Sequence, residues 1–299
     1  MKKTELNLSN LGKLYWPREK ITKGDLISYY ETIGPFILPY LKNRPLSLKR
    51  NPNGILDEGF YHKDAGDIAP AWIKTANIHS ASSDKIVHYL VCNDVKSLLF
   101  IANLGCIEMN PWNSTVQKPD HPDYLVMDID PSEKNTFEEV IDVALVIKEI
   151  LDSAGAKGYC KTSGATGLHI YIPCNKKYDY EKVRNFAKII ATLAHEELPE
   201  TTTMERSLSK RKKNQIYIDY LQNSRGQTLA SAYSVRPKPG ATVSAPLEWR
   251  EVKKGLHVSD FTIKNIKKRI EKKGDLFEAV LGKGIDIADA LKKIEKVSL

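Results

Sequence analysis

Long apolar runs and closely spaced cysteines are both lacking in this sequence of 299 residues. No stretch is apolar for long enough to span a bilayer, and the first ten residues carry lysines without the apolar segment of a secretory signal. No C-x-x-C pair occurs, and no nearby histidines complete a zinc-like set. We therefore expect a cytoplasmic protein with no membrane partner, no structural zinc and reduced, buried thiols at Cys92, Cys106, Cys160 and Cys174.

Repeats and low-complexity linkers are also lacking, so the length fits one large domain or two modules that share a core. With 41% hydrophobic and 27% charged residues, the chain can bury a core without disulfides. The net charge of +8 suits a polyanionic partner, although many lysine-rich proteins share this property. We place a first module over residues 1–118 and a second over 119–299.

The pattern of apolar residues predicts a mixed α/β fold. The first module contains a predicted helix over 26–41 and several short strand-like runs. From Tyr124 onward the elements become regular, and their order is β-α-β-β-α-β. This order is typical of a ferredoxin-like or RNA-recognition-like sheet with its helices on one face. The predicted elements are strands over 124–130, 157–162, 168–173 and 215–221, helices over 137–151 and 180–198, and basic helices after Ser259.

Three aspartates in predicted strands are the first candidate site. Asp128 and Asp130 lie two residues apart, so both carboxylates point to one face while Met127 and Ile129 point to the core. Asp219 lies in the middle of another predicted strand. Carboxylates in such positions are costly unless they are paired or bind metal, and three on one face would suit Mg²⁺ or Mn²⁺. Two alternatives stay open: the DIDP motif can simply end a strand, and sugar-nucleotide glycosyltransferases also carry D-x-D.

A loop rich in serine and glycine, SGATG, leads directly into the strand that carries His169. Amides beside Gly164 and Gly167 can approach phosphate oxygens closely, and Ser163 and Thr166 add hydroxyl donors. His169 can donate a hydrogen bond to a triphosphate. A plain β-turn and a core histidine are the alternative interpretations of these residues.

Arg236 lies next to Pro237 and before Pro239, so its backbone is held rigidly. Its guanidinium group has the geometry that suits phosphate oxygens. This position favours a phosphate contact, and a surface arginine in a turn is the alternative.

Taken together, these segments resemble one known family. In their order, DIDP, TSGATGLHIYIP, IYIDYLQNSRGQT and SVRPKPGATVSAPLEW are similar to the polymerase domain of bacterial ligase D and its stand-alone relatives in the archaeo-eukaryotic primase superfamily. The segments LSNLGKLYWP, ITKGDLISYY, RPLSLKR and EGFYHKDA match as well, so the resemblance covers nearly the whole chain. It implies one primase-polymerase catalytic domain over 1–299. Its fold would be α/β and primase-like, with a mostly antiparallel central sheet that has an RNA-recognition-like core, flanking helices and an N-terminal α/β module.

The resemblance further implies a DNA-directed nucleotidyltransferase. Such an enzyme extends and fills gaps at double-strand break ends in non-homologous end joining, prefers ribonucleotides, and uses two Mn²⁺ or Mg²⁺ ions. The expected partners are nucleoside triphosphates, DNA ends and gaps with a 5′-phosphate, a separate ATP-dependent DNA ligase and a Ku-type end-binding protein. A nucleoid-associated location follows from these partners. A D-x-D glycosyltransferase and a catalytically idle end-bridging module are the alternatives.

The resemblance also assigns roles to single residues around the reaction. The catalytic metal ligands are Asp128, Asp130 and Asp219. The residues that contact the triphosphate are Ser163, His169 and Arg236, to which the loop adds Thr166; Lys49 and Lys63 lie nearby. In place of Asn110 many relatives have a histidine, which argues against a proton relay there because an amide does not titrate near neutral pH.

Two further sets of residues are implied to contact DNA. Phe60 and Tyr61 resemble an aromatic pair on which a base or the template strand stacks, and core aromatics are the alternative interpretation. Asn10, Lys13 and Lys23 resemble a pocket for a 5′-phosphate. Lys23 is also expected at the start of a helix, where free amides would favour an anion.

Overall fold

The computed structural model describes residues 6–80 and 84–297, which form two compact units. Unit 1 contains the described residues up to Gln117 together with Thr228–Ser244 and Phe261–Gly274. Unit 2 contains Lys118–Gln227, Ala245–Asp260 and the described residues from Asp275. The second module expected to be continuous over 119–299 is therefore interrupted by two segments that belong to unit 1. Within the described ranges, no helix combines the length and the apolar character needed to cross a bilayer.

Unit 2 is built on a six-stranded sheet. Its strands are β8 (Tyr124–Asp130), β9 (Tyr159–Thr162), β10 (Leu168–Pro173), β11 (Thr202–Thr203), β12 (Ile216–Asp219) and β13 (Pro246–Leu247). Its helices are α3 (Phe137–Ser153), α4 (Tyr180–Glu197) and α6 (Ile287–Val297). Strands and helices are numbered in the order of the chain. Those not named here belong to unit 1.

The strands of unit 2 lie in the order β11-β12-β8-β10-β9-β13, and all neighbours are antiparallel except β11 and β12. The predicted β-α-β-β-α-β order is present as β8-α3-β9-β10-α4-β12, with the two-residue strand β11 added before β12. Helices α3 and α4 both pack against β8, in which Met127 and Ile129 are fully buried. The α/β fold class with an antiparallel central sheet is confirmed.

Both long helices of unit 2 begin at residues that satisfy their free amides. Thr136 and Glu139 form the predicted capping box of α3, in which each side chain accepts the backbone N–H of the other. Asp179 accepts the N–H of Lys182 and caps α4. After α3, Gly155 adopts a left-handed φ of 65°, the conformation that ends many helices.

Strand β12 ends at Asp219, two residues before the predicted end at 221. The carboxylate causes this, because Asp219 Oδ1 accepts the N–H of Leu221 at 2.8 Å and caps a 3-10 helix over Tyr220–Asn223. The placement of Asp219 in the middle of a strand was therefore wrong: it lies at a strand end, where the backbone turns.

The side chain of Asn223 replaces the hydrogen bonds that β12 no longer makes to β8. Its Oδ1 accepts the N–H of Val126 at 2.8 Å, and its Nδ2 donates to the carbonyl of Val126 at 2.7 Å. Asn223 is fully buried, and it thereby fixes the point at which the chain leaves the sheet just after Asp219.

We expect Asn223→Ala to lower the free energy of unfolding by about 2–4 kcal/mol, because it leaves the buried N–H and C=O of Val126 without their partner. Gln222→Ala is the matched control. Gln222 belongs to the same 3-10 helix, but its buried Oε1 has no hydrogen-bond partner within the described chain. Urea unfolding followed by circular dichroism tests this, and equal midpoints for the two variants would contradict it.

Unit 1 contains three small sheets, in which β3 lies between β4 and β7, β5 pairs with β6, and β1 pairs with β2. The strands are β1 (Leu14–Trp16), β2 (Ile21–Thr22), β3 (Leu46–Arg50), β4 (Phe60–His62), β5 (Lys74–Ser80), β6 (Lys85–Val91) and β7 (Cys106–Pro111). The helices are α1 (Lys23–Leu41), α2 (Val95–Asn103) and α5 (Ile266–Lys273). Helices α1 and α2 pack against each other and against β7.

The segment Thr228–Ser244 belongs to unit 1 because its backbone bonds to β7 and α1. Ser231 donates its N–H to the carbonyl of Met109 at 2.9 Å, and Tyr30 in α1 accepts the N–H of Val235 at 3.1 Å. A local sequence pattern does not show that a later segment packs with an earlier unit, which explains why the sequence predicted a continuous second module. All four cysteines are buried and unpaired, as expected: Cys92, Cys106, Cys160 and Cys174.

Candidate active site

Four polar side chains form a row across neighbouring strands of unit 2. Asp219 of β12 lies opposite Asp128 of β8, Asp128 lies opposite His169 of β10, and His169 lies opposite Lys161 of β9. Residues directly opposite one another share a face of the sheet. This shared face is the one opposite to the face that carries Met127. Asp128 and Asp219, two of the three aspartates expected to lie together, are therefore neighbours on it.

The row is held together by side-chain contacts. Lys161 Nζ lies 2.8 Å from His169 Nδ1, and His169 Nε2 lies 3.3 Å from Asp128 Oδ1. Lys161 is fully buried, whereas 14% of the Asp128 side chain is exposed. Asp130 lies on the same face, opposite Tyr217, and is exposed. The row thus leads from a buried cation to accessible carboxylates.

The two neighbouring carboxylates repel each other. Burial, followed by the negative charge of Asp128, raises the pKa of Asp219 above its ordinary value, while hydrogen bonds from Tyr217 and the backbone lower it. Burial and the Asp219 carboxylate in turn raise the pKa of Tyr217, whose hydroxyl donates to Asp219 Oδ1 at 3.0 Å. A cation held between the carboxylates would relieve their repulsion.

These oxygens fit a hard divalent cation by chemistry. Asp128 and Asp219 lie opposite each other, and Asp130 follows on the same face. Carboxylate oxygens are the ligands that Mg²⁺ and Mn²⁺ prefer. Within residues 6–80 and 84–297, however, no three His, Cys, Asp or Glu side chains are already placed to hold a metal ion. The donor set therefore fits the group, and its assembly around a metal stays a prediction.

The serine- and glycine-rich loop differs from its predicted form. The N–H groups of Ala165 and Thr166, each at 3.1 Å, and of Gly167, at 3.0 Å, all point to Ser163 Oγ. These amides are satisfied inside the loop, so the expectation that they are free to approach a phosphate was wrong. Thr166 is exposed, and Ser163 is buried.

Gly167 is explained by packing against β8. A Cβ at this position would lie 2.1 Å from the carbonyl oxygen of Ile129, which no side chain can tolerate. Gly164 has a φ of 72°, which the turn itself requires. Both glycines therefore shape the loop, and neither needs a phosphate to account for it.

A second polar cluster lies in unit 1. In the β4-β3-β7 sheet, Tyr61 lies opposite Lys49, and Lys49 lies opposite Glu108. Arg236 Nε donates to Glu108 Oε2 at 2.7 Å. Lys49 Nζ donates to the carbonyl of Gly59 at 2.7 Å and lies 4.9 Å from the centre of the Tyr61 ring. The structure thus brings Arg236, Lys49 and Tyr61 together.

Glu108 was missed by the sequence analysis. Its side chain is only 5% exposed, and it anchors Arg236, whose side chain is 18% exposed. Burial and then the charge of Glu108 raise the pKa of Tyr61, and Arg236 lowers it. The signal that could have revealed Glu108 is a single carboxylate within a strand whose other residues, apart from Asn110, are apolar. Asn110, two residues further along β7, is buried and donates to the carbonyl of Glu108 at 3.3 Å.

The aromatic pair of unit 1 is accessible. Phe60 is 48% and Tyr61 59% exposed, so the alternative that they are core aromatics does not hold. The guanidinium carbon of Arg50 lies 5.3 Å from the centre of the Phe60 ring. Lys63 follows directly after β4 and is exposed.

The three residues implied to bind a 5′-phosphate are adjacent in unit 1. Lys13 donates its N–H to the carbonyl of Asn10 at 3.0 Å, and Lys23 donates its N–H to the carbonyl of Lys13 at 2.8 Å. Lys23 Nζ donates to the carbonyl of Ser9 at 2.8 Å, and Lys13 Nζ donates to Asn53 Oδ1. Burial and then the charge of Lys13 lower the pKa of Lys23.

The start of α1 does not offer free amides. Gly24 donates its N–H to the carbonyl of Leu11 at 2.8 Å, and Asp25 donates its N–H to Thr22 Oγ1 at 3.1 Å. The N–H of Lys23 is already bonded, as described above. The expected contribution of the helix N-terminus to anion binding was therefore wrong, because a capping box with Asp25 closes this end.

Comparisons with known proteins agree with this fold. The family model described as LigD, primase-polymerase domain, matches residues 22–277. The bifunctional non-homologous end joining protein LigD of Bacillus subtilis (strain 168) is 34% identical over 271 residues, which cover 90% of this chain and 43% of the relative. The multifunctional non-homologous end joining protein LigD of Mycolicibacterium smegmatis is 27% identical over 290 residues, covering 96% and 37%. The chain therefore spans about two fifths of these relatives.

A solved structure is similar over nearly the whole chain. The polymerase domain from Mycobacterium tuberculosis ligase D, determined in complex with DNA, matches with a TM-score of 0.86 and 25% identity. The match covers 95% of this chain and all of that one, at 100%. Fold and comparisons together define a nucleotidyltransferase-type enzyme domain. The chain belongs to the LigD primase-polymerase domain family.

Proposed function

We propose that the chain is a metal-dependent polymerase that adds nucleotides to DNA ends and fills short gaps during non-homologous end joining. The observation that carries the proposal is the row in unit 2, where Asp128 and Asp219 lie opposite each other and His169 contacts Asp128. Carboxylates placed together at the end of a sheet strand are costly for stability, and phosphoryl transfer gives them a use.

Asp128, Asp130 and Asp219 would hold Mn²⁺ or Mg²⁺. A divalent cation there would supply positive charge for the triphosphate and for the attacking 3′-hydroxyl. His169 would donate a hydrogen bond from its Nε2–H to an anionic oxygen, and Ser163 would donate one from its hydroxyl group. Orientation and charge neutralisation, rather than covalent chemistry, would be the main contribution of the protein.

Unit 1 would contribute contacts to phosphate and base. Arg236, whose Nε donates to Glu108, would contact a triphosphate through its guanidinium group. Lys49, near the Tyr61 ring, would add positive charge, and Lys63 would extend it. The exposed rings of Phe60 and Tyr61 would stack against a base.

DNA ends are the substrate that we propose. The similar Mycobacterium tuberculosis domain was determined in complex with DNA, and the net charge of +8 favours a polyanion. The relatives are named as end-joining proteins, so an ATP-dependent DNA ligase and a Ku-type end-binding protein are the proposed partners.

A primer-extension assay tests the proposal. The chain is incubated with primed and gapped DNA, each of the eight ribo- and deoxynucleoside triphosphates, and Mg²⁺ or Mn²⁺. We expect the primer to grow only in the presence of metal. DNA binding without extension would support an end-bridging module, and transfer from a sugar nucleotide without primer growth would support a glycosyltransferase.

We expect ribonucleotides to be incorporated better than deoxynucleotides, a preference that rests on the family resemblance. A competition assay in which one primer is offered both kinds of triphosphate measures it. Preferential incorporation of deoxynucleotides would contradict the expectation.

We expect a gap with a 5′-phosphate to bind more tightly than the same gap with a 5′-hydroxyl, because Lys13 and Lys23 lie together and the terminal phosphate carries an extra charge. Lys13→Ala combined with Lys23→Ala should remove this difference and flatten the salt dependence of binding. Lys20→Ala combined with Lys42→Ala is the matched control, since both lysines are exposed in unit 1 and the charge change is equal. Fluorescence anisotropy measures the affinity of each variant for the two gaps. A preference for the 5′-phosphate that survives in the Lys13→Ala and Lys23→Ala double variant would overturn the assignment.

A further inference from the structure

Lys161 is a fully buried lysine on the sheet face that carries the aspartates. A buried ammonium group is unfavourable unless hydrogen bonds compensate for lost water. Lys161 Nζ lies 2.8 Å from His169 Nδ1 and 5.4 Å from the centre of the Tyr171 ring. Lys161 lies at the end of the row farthest from Asp219, and the role assigned above to His169 does not explain it.

The contacts on both sides of His169 require the same proton arrangement. A lysine ammonium group has donors and no acceptor, so His169 Nδ1 must accept from Lys161. The proton of the neutral ring is then on Nε2. On the other side, Nε2 lies 3.3 Å from Asp128 Oδ1, and an ionised carboxylate only accepts. The second nitrogen of a histidine ring is commonly fixed in this way by the partner of the first.

We propose that Lys161 is a positioning residue that holds His169 in the Nε2–H tautomer, with that N–H directed towards Asp128. His169 then presents a hydrogen-bond donor, and no lone pair, to whatever anion lies at the carboxylate end of the row. The sheet register supports this role, because Lys161 and His169 lie directly opposite each other on β9 and β10. Its consequence for catalysis rests on the proposed polymerase function, whereas the tautomer itself does not.

Nitrogen-15 NMR of the histidine rings in the full chain, without nucleotide, tests the proposal. In the wild type, His169 should show a pyrrole-type shift at Nε2 and a pyridine-type shift at Nδ1, with its signals assigned by their loss in His169→Gln. Because Asp128 also favours Nε2–H, the role of Lys161 is tested without it: in Asp128→Ala, Lys161 alone should keep the Nε2–H tautomer. In Asp128→Ala combined with Lys161→Met, which keeps the apolar stem but has no donor, we expect the Nδ1–H tautomer to appear. His195, whose Nδ1 lies 2.8 Å from Thr202 Oγ1 in the same unit, is the internal control and should not change.

Lys161→Arg in the same Asp128→Ala background is the matched variant, because arginine, like lysine, has N–H donors and no acceptor. It should restore the Nε2–H tautomer. In nucleotide addition with Asp128 present, Lys161→Met should raise the KM for the triphosphate roughly tenfold with a smaller change in kcat, the scale of one charge-assisted hydrogen bond. Lys161→Arg should recover most of it.

A pyrrole-type Nδ1 in the wild type, or the same His169 spectrum in Asp128→Ala with and without Lys161→Met, would overturn the proposal. If the double variant does not fold, Asp128→Ala alone decides, because loss of the Nε2–H tautomer there would show that Lys161 does not hold the ring. The proposed polymerase function and the proposed role of Lys161 can be refuted independently of each other. A tautomer change without any nucleotide addition by the wild type would refute the polymerase and leave the role of Lys161 intact, whereas normal extension with an unchanged tautomer would do the reverse.

Discussion

Replacement of Asp128 by alanine should abolish primer extension while the protein stays folded and still binds DNA. Asp128 is the member of the row that lies opposite Asp219 and contacts His169, so its loss affects both neighbours. Losing a metal ligand removes several kcal/mol of transition-state stabilisation, so we expect extension to fall by about a thousandfold or more. Asp130→Ala should have the same effect, since Asp130 lies on the same face.

The stability of Asp128→Ala should change little, which separates a functional role from a structural one. The Asp128 charge raises the pKa of Asp219, so its removal relieves a repulsion, while His169 loses an acceptor. These effects oppose each other, and we expect the melting temperature to stay within about 3 °C of wild type.

Asp142→Ala is the control for both aspartate variants, because Asp142 is exposed on α3 and should leave extension unchanged. Primer extension, thermal unfolding and fluorescence anisotropy on labelled DNA are measured for each variant. Extension within about tenfold of wild type in Asp128→Ala would remove Asp128 from the proposed metal site.

The regular part of the fold could be predicted because local chemistry determines it. A mainly apolar run that ends just before Pro131 places β8, and capping side chains such as Thr136 and Asp179 place the starts of α3 and α4. Short strands such as β11, with two residues, lack a repeating pattern and depend on pairing with distant segments. The return of Thr228–Ser244 to unit 1 depends on backbone bonds to β7, which no local pattern encodes.

Residue types in the candidate site were easier to predict than their contacts. The pairing of Asp128 with His169 follows from register, which depends on how two strands align. The amides of the loop were expected to be free, yet they bond to Ser163, because a nearby hydroxyl competes with any ligand. Lys161 had no predicted role, because a lysine is expected to be exposed to solvent and only the structure shows that this one is buried.

Arg236→Ala should weaken both the use of nucleotides and the fold, and the two effects can be separated. Arg236 Nε donates to Glu108 Oε2 at 2.7 Å, and the Glu108 side chain is 5% exposed. Removing the arginine leaves a buried carboxylate without this partner, which should lower the free energy of unfolding by about 3 kcal/mol. The KM for the triphosphate should also rise by about tenfold or more, because a charge-assisted phosphate contact is lost. The single variant alone would therefore confuse a binding residue with a structural one.

The double variant Arg236→Ala with Glu108→Gln resolves this. Glutamine removes the buried charge while keeping the size of the side chain, so most of the lost stability should return. The nucleotide KM should not return, because the guanidinium group is still absent. Glu108→Gln alone should keep much of the nucleotide affinity, since Arg236 stays in place but loses its anchor. Urea unfolding and nucleotide titrations on all four proteins form a double-mutant cycle. If stability and KM recover together in the double variant, Arg236 serves only as the counter-charge of Glu108 and does not contact the triphosphate.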